Sequence, residues 1–491
     1  MERGADHGQA ARCPNEGRGV RWVEDPSQVD WDVEVDVLVI GAGGCGLVAA
    51  LAAAQAGAEV LVIEKEKEAG GNTALSQAMV PAAGSREQRA AGVEDSPESM
   101  AEDILRKNQW GSDPALTLHV ARESARLIDW LRDDLGIELN LVTDFLYPGH
   151  SAHRIHANRS RKGKQLVQDL LQATRRFAGI HIAYKAAARR LVALRSDGGV
   201  LGAEVEISGV GMNLARARRV ILALNGFGAN RELLRRFIPE MSEAYYFGHE
   251  GNTGEAIIWG EELGAQLDNM GAYQAHGSVA YPHGTLVTWA VISLGGFQVN
   301  LEGRRFVNEY HGYSEHALDV LAQPEGLAVE IFDQRILDVV KDYEDMQQCL
   351  HMGAVRRFAD LAELARAFSL PWETLAATFR QFQAAARGEC LDPLGRTVFG
   401  PPLMPPYYGV KVTGALFHTQ GGLRVDERAR VVRTDGSLIP RLYAGGGSAA
   451  GFSGRSGPSG YLSANGLMAA LILGMIAGED AGYAVRLETL R

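Results

Sequence analysis

One run near the start of the chain limits what it can fold into. Val33-Glu34-Val35-Asp36-Val37-Leu38-Val39-Ile40 is a β-branched apolar run suited to a buried parallel strand, and it leads directly into Gly41-Ala42-Gly43-Gly44-Cys45-Gly46. An Ala/Leu-rich helix follows through Ala56, and a second strand, Glu59-Val60-Leu61-Val62-Ile63, ends at Glu64. Such glycines alone are weak evidence. Between a buried strand and a helix, with an acid closing the next strand, they make a dinucleotide-binding unit. Gly41 permits the tight turn, Gly43 and Gly44 let backbone approach a pyrophosphate, and Gly46 lets helix and strand pack closely. The phosphates then sit at the positive end of the helix dipole. Glu64 can accept bonds from a ribose diol.

Residues 1–30 are polar and irregular and read as a flexible N-terminal extension. Residues 31–265 read as the first part of a doubly wound, Rossmann-like α/β domain. Helical patterns at 115–135 and 163–177 alternate with short strands, and a buried strand at 219–224 ends in Asn225-Gly226-Phe227-Gly228. From 266 to 404 the texture shifts to aromatics and amphipathic helices, clearest at 361–368 and 372–387, which suggests an inserted α+β capping domain. Two proline pairs, Pro401-Pro402 and Pro405-Pro406, mark its end. Residues 405–491 return to the first domain and finish in a helix from about Asn465 to Ala477.

A net charge of −11 argues against a nucleic-acid scaffold, which needs clustered basic charge. Cys13, Cys45, Cys349 and Cys390 form no disulfide framework and no CxxC or CxxCH pair, so a cysteine-based zinc site and attached c-type haem are excluded on spacing. The histidines between Tyr147 and His156 fit no ligand spacing, and no metal is expected. The N-terminal stretch lacks a signal-peptide core, and the longest apolar run, Leu467 to Gly478, is too short to span a bilayer. A cytoplasmic protein with no membrane partner is the expectation.

Two further elements favour FAD over a nicotinamide cofactor. Lys65 is followed by Gly70-Gly71-Asn72-Thr73 and then Ser76, a second glycine turn placed where a flavin's ribityl chain and ring edge pass. Near the C-terminus come Tyr443-Ala444-Gly445-Gly446-Gly447 and then Asn465-Gly466-Leu467, which opens the last helix. A helix N-terminus aimed at the flavin C2 carbonyl would stabilise negative charge on the reduced ring.

These motifs, in this order, resemble the fumarate reductase/succinate dehydrogenase flavoprotein superfamily over about residues 33–485. The matching strings are GAGGCG…IEK, GGNTALS, ILALNGFGAN, NTGEAIIWGEELGA, EGRRFVNE, HTQGGL, LYAGG and SANGL. The resemblance implies an FAD domain with an inserted cap and substrate held between them, and it brings Asn225 and Gly226 into the cofactor set. Members with covalent flavin carry a histidine in the early glycine-rich region. GGNTALSQAM has none, so the resemblance implies noncovalent FAD.

Fumarate-type members carry an arginine acid shortly after the RFVNE string and a second arginine before the last helix. Here those positions hold Tyr313 and Tyr461. A neutral phenol cannot replace a bidentate guanidinium opposite a dicarboxylate, so fumarate and succinate are not expected as substrates. Tyr461-Leu462-Ser463 is instead similar to the 3-ketosteroid dehydrogenases of the Δ4-(5α) branch. Leu462, Ser463 and Asn465 depart from the Tyr-Pro-Gly-Ala-Gly run of the Δ1 branch.

The residue types suit the chemistry. Removing two hydrogens beside a ketone needs an electrophile on the carbonyl oxygen, a base for the α proton and a hydride acceptor. Tyr461 would donate to the carbonyl, Ser463 would take the proton with relay through Tyr461 or Tyr313, and flavin N5 would take the hydride. Tyr310 is close enough to exchange roles with Tyr313, and Ser463 also suits a plain helix N-cap. His276 and His418 match carboxylate-binding positions of fumarate-type members, while Arg455 offers a displaced carboxylate contact and Tyr147 an entrance residue.

The expected function is α,β-dehydrogenation of a cyclic, steroid-like ketone, with a small-molecule substrate and an unidentified electron acceptor. The alternatives are a flavin ene-reductase of an unsaturated ketone or acid, fumarate reductase-like, and an FAD subunit of an electron-transfer complex.

Overall fold

The computed structural model describes residues 19–147 and 149–490. The run 33–40 forms the central strand it was expected to form. Seven strands make the main path of the first sheet: β1 (Gly19–Val23), β2 (Val33–Ile40), β3 (Val60–Glu64), β4 (Ile180–Tyr184), β5 (Ala186–Leu194), β6 (Val200–Ile207) and β7 (Gly211–Leu222). Their spatial order is β1-β5-β6-β7-β2-β3-β4. Strand β2 is parallel to both β3 (Val37 opposite Val60) and β7 (Val220 opposite Leu38), which is why its inner half is apolar on both faces.

Helix α1 (Gly44–Gln55) covers this sheet and is itself covered by the last helix, α6 (Asn465–Thr489). That helix runs twelve residues beyond the expected end at Ala477, because Glu479 and Asp480 turn outward while Ala481 and Val485 stay buried. By length and composition α6 resembles a membrane span, yet 72% of its apolar window is buried inside the molecule. Helices α2 (Pro114–Asp133), with Asp113 as N-cap and proline at N1, and α3 (Gly163–Thr174) complete this unit.

Strand β1 corrects one boundary. Gly19–Val23 lies inside the stretch expected to be a flexible extension, but it pairs parallel with β5 from Gly19/Arg190 to Val23/Leu194. The Val20 amide also donates to Glu262. A five-residue edge strand with one apolar face is too short to stand out by pattern. Residues 1–18 of that extension lie outside the described residues.

The second sheet is built on β8 (Gly271–Ala280), β9 (Phe297–Asn300), β10 (Leu327–Asp333) and β11 (Tyr407–Thr419), all antiparallel, in the order β8-β11-β10-β9. Its helices include α4 (His316–Leu321) and α5 (Trp372–Ala386), and it has its own apolar core around Phe297, Phe332 and Phe382. Here too a boundary moves. Strand β11 follows both proline pairs and is the central strand of this sheet, so the inserted unit extends to about residue 419 rather than 404. The prolines shape the approach to β11. Strand β12 (Leu438–Ala444) then returns to the first sheet beside β7.

Candidate active site

The glycine turn is dictated by space. A Cβ on Gly41 would lie 2.4 Å from the Ala223 carbonyl oxygen, and one on Gly46 would lie 1.8 Å from that of Gly41. Gly43 is the N-cap of α1 and bridges to Gly70, bringing the two glycine turns together. The Gly44 amide donates to Thr73 Oγ1, and Ser76 Oγ turns back to the Thr73 carbonyl. Glu64 accepts from the amides of Ala42 and Glu66, which fixes its carboxylate at the mouth of the turn with lone pairs to spare.

Asn225 adopts φ +64° and sits against Gly447, while Gly226 leaves no room for a side chain beside Thr419 Oγ1. Gly446 is also left-handed, at φ +58°. At the start of α6, Asn465 is fully buried and neither polar atom of its side chain has a hydrogen-bond partner among the described residues. Such an amide, beside Gly466 and Leu467 at an uncapped helix N-terminus, fits a polar ring system held there.

Two expected cofactor contacts are used differently. All three Lys65 donors are taken, by the Gly251 carbonyl, Thr253 Oγ1 and Glu255, so this side chain ties down the 251–255 turn. Asn72 Oδ1 accepts from the His249 amide and from Asn252 Nδ2, anchoring the same turn.

The tyrosines meet at the seam between the two units. Tyr313 comes from the inserted unit and its hydroxyl lies 3.2 Å from Ser463 Oγ, from the first unit. Tyr461 is buried against His418, with ring centroids 5.5 Å apart and edge to face. Burial drives the Tyr461 phenol above its usual range, opposed by the amides of Gly466 and Ala464, which face its oxygen. Tyr313 is also driven well up, by burial and then by Tyr461 beside it. Both hydroxyls are therefore proton-bearing donors near neutrality.

His276 stacks between Tyr313 and Phe417 at centroid distances of 5.2 and 5.5 Å. The β8/β11 register shifts on both sides of it, and such bulges re-aim a side chain. Its Nδ1 accepts the Ser278 amide, so a neutral ring carries its proton on Nε2. In His418 the same tautomer follows because Ser453 fixes Gln420 Oε1, leaving Gln420 Nε2 to donate to His418 Nδ1. Burial pushes His276 down to about 3 and His418 to about 4, so both are neutral N–H donors rather than cations.

Three expectations part from the geometry. Tyr310 does not share the seam, because its ring lies against the buried Arg396 guanidinium at 5.7 Å. Arg455 is exposed, because Ser456–Gly457 pairs with Gly271–Ala272 and leaves the preceding residue outside. Ser463 is not the N-cap of α6. Ala464 takes that place in the left-handed region, which frees the serine hydroxyl for Tyr313. Tyr147 does border the seam, half-buried, packed like Ala464 on the small cluster of Val142, Ile155 and Ala157 and near enough to act on Tyr313.

Sequence reasoning left His150 without a role of its own. Its Nε2 lies 3.1 Å from the Ser463 carbonyl oxygen, its Nδ1 is buried without a partner, and burial lowers it to about 4. Only its place in a histidine-rich stretch pointed to it. Trp289, edge-on to both His276 and Tyr313, gave no sequence signal at all.

Comparison with known proteins agrees with the fold and with FAD as the cofactor. The FAD binding domain family model matches residues 36–460. A fumarate reductase (cytochrome) from Shewanella frigidimarina is 31% identical over 91% of this chain and 77% of its own length. The structure of the open conformation of a flavocytochrome c3 fumarate reductase superposes with a TM-score of 0.81 at 27% identity, over 93% of this chain and 79% of that one. The 3-ketosteroid-Δ4-(5α)-dehydrogenase from Rhodococcus jostii, solved with 4-androstene-3,17-dione, shares the fold with a TM-score of 0.73 at 24% identity, over 94% of this chain and 99% of that one.

Proposed function

Because this chain belongs to the fumarate reductase/succinate dehydrogenase flavoprotein superfamily and is an FAD-dependent oxidoreductase acting on CH–CH groups, we propose that its substrate is a neutral cyclic ketone, desaturated beside the carbonyl. The observation that carries the reading is the meeting of Tyr461, Ser463 and Tyr313, three neutral hydroxyls from two units, where a fumarate-type site would hold arginines.

Gly41, Gly43, Gly44 and Gly46 would receive the FAD pyrophosphate, Glu64 a ribose diol, and Asn225, Gly226, Gly446 and the Asn465–Leu467 turn the flavin end. Among residues 70–80 there is no His, Cys or Tyr to form a covalent link, which supports noncovalent binding. Bound FAD supplies the hydride acceptor. Tyr461 donates its hydroxyl to the substrate carbonyl oxygen, and the amides facing the phenol polarise it as enolate charge grows. Ser463 Oγ receives the α proton while releasing its own to Tyr313 Oη, 3.2 Å away, and Tyr313 in turn passes its hydroxyl proton outward, so that both hydroxyls end the step neutral. The stacked rings of His276 and Phe417, with Trp289 edge-on to His276, keep water from the seam.

A second reading, reduction of an unsaturated acid, draws on the fumarate reductase relatives and on His276 and His418 lying at the same seam. Two neutral imidazoles can donate to one carboxylate. They cannot neutralise two, and an uncompensated buried charge is costly.

The test uses purified holoprotein, titrated in parallel with a neutral cyclic enone, a keto-acid and fumarate while the flavin spectrum is followed. The expected order of spectral perturbation is enone, then keto-acid, then fumarate, with turnover of the saturated ketone under an artificial electron acceptor. Tight fumarate binding with reoxidation of reduced flavin would replace the ketone reading by the acid reductase.

A further inference from the structure

His311, His316 and Asp319 lie outside the candidate catalytic set, on the segment that carries Tyr313 and opens α4, with the His316 ring 5.8 Å behind Trp289. His311 Nε2 lies 3.1 Å and His316 Nδ1 3.8 Å from Asp319 Oδ2. These three atoms all lie within 4.8 Å of one another. His316 is completely buried, whereas the side chains of His311 and Asp319 are about one-third exposed.

The tautomer of His316 is fixed by its neighbour. Gln298 Nε2 faces the Gly277 carbonyl, Ser278 Oγ and the Glu330 carboxylate, so Gln298 Oε1 is the atom 2.9 Å from His316 Nε2. His316 therefore carries its proton on Nε2 and presents a bare lone pair at Nδ1. Nδ1 and Asp319 Oδ2 are both buried without a hydrogen-bond partner among the described residues. The approach of His311 to Oδ2 is close but not aligned as a hydrogen bond. A histidine–aspartate ion pair would account for His311 alone. It leaves two acceptors facing each other in a buried place, which is unfavourable.

A cation removes that conflict. Metal–ligand distances of about 2.0–2.2 Å in a tetrahedron set ligand–ligand edges of roughly 3.4 Å, which the observed 3.1 and 3.8 Å straddle. Two imidazoles and a carboxylate suit a borderline divalent transition ion, since Mg²⁺ and Ca²⁺ prefer all-oxygen sets. Gln298 on His316 Nε2–H is the kind of outer partner that orients a metal-binding histidine. We infer that His311, His316 and Asp319 form a binding site for a divalent cation of the Zn²⁺ class, completed by water on the His311 side. Two of the ligands flank Tyr313 in sequence, so an ion here would clamp the segment that delivers that tyrosine to the seam. The HxxxxHxxD spacing reads as ordinary loop sequence until the turn at 309–311 brings His311 back onto α4.

The experiment uses tag-free, chelator-treated holoprotein, with Zn²⁺ competed against a chromophoric chelator and Co²⁺ followed by its visible spectrum. The expected result is one equivalent of Zn²⁺ and a low-coordinate Co²⁺ spectrum. Both should be weakened at least about a hundredfold in His311→Ala and in Asp319→Asn, since changes in outer partners alone cost 10–100-fold. His181→Ala removes an exposed histidine of another element and should bind as the parent does. Absence of stoichiometric binding overturns the site, as does equal binding by the parent, His311→Ala and Asp319→Asn.

Discussion

Tyr461 is held between two opposed influences, burial that keeps its proton on and two helix-terminal amides that draw charge toward its oxygen. That balance suits a donor whose hydrogen bond strengthens only as the substrate oxygen becomes an enolate. Tyr461→Phe should therefore lower kcat by about 10²–10³-fold, the cost of one oxyanion donor. KM and flavin content should change little, because one oxygen is removed and the ring still packs on His418. Steady-state kinetics beside the flavin absorbance ratio checks this, and a variant turning over at the parental rate would reduce Tyr461 to packing. At this scale the juxtaposition of Tyr461, Ser463 and Tyr313 was legible, because their positions are fixed by neighbouring motifs. It was misleading for Lys65 and Arg455, whose long side chains go where neighbouring acceptors or the surface take them.

Among the elements, the contact of α1 with α6 explains why the last helix is rich in small residues. A Cβ on Gly474 would lie 2.5 Å from the Cys45 carbonyl oxygen, on Gly478 2.2 Å from that of Ala49, and on Gly482 2.8 Å from that of Ala53. Glycine at every fourth position thus brings the two backbones together, which in turn places Asn465 at the glycine turn. Gly478→Ala should cost on the order of 1–3 kcal/mol, the usual range for overpacking, because the atom it meets is backbone and cannot rotate away. Urea denaturation measures this, and an unchanged midpoint would mean that α6 shifts freely on α1. Helices α2, α3 and α5 were legible from periodicity to within a few residues. Strands β1 and β11 were not, since their membership depends on partners far away in the chain, such as Arg190 for Gly19 and Tyr273 for Thr419.

At the scale of the whole molecule, the seam is closed by histidines that are buried in their uncharged form, and this predicts how the protein fails in acid. Burial holds His150, His276 and His418 at about 4, 3 and 4, below the ordinary value of about 6.5 in an unfolded chain. As pH falls below 6.5 the unfolded chain takes up protons that the folded one refuses. Each such group then lowers stability by up to about 1.4 kcal/mol per pH unit until its folded value is reached. Glu330 and Asp345 act in the opposite sense. Burial raises them to about 7 and 6, so they favour the folded state on acidification down to their ordinary values near 4. Between pH 7 and 5 the two sets partly offset each other. Near pH 4.5 the Glu330 contribution is exhausted while the histidines continue to their folded values of about 4, 3 and 4, so the stability curve should steepen between about pH 4.5 and 4. His150→Gln isolates one member, since glutamine can still donate to the Ser463 carbonyl but takes up no proton. Urea midpoints of parent and variant should run parallel above pH 7 and separate by on the order of 3 kcal/mol in the variant's favour by pH 4. Curves that stay parallel down to pH 4 would mean that His150 is solvated well enough to titrate normally, and that the seam is open rather than closed.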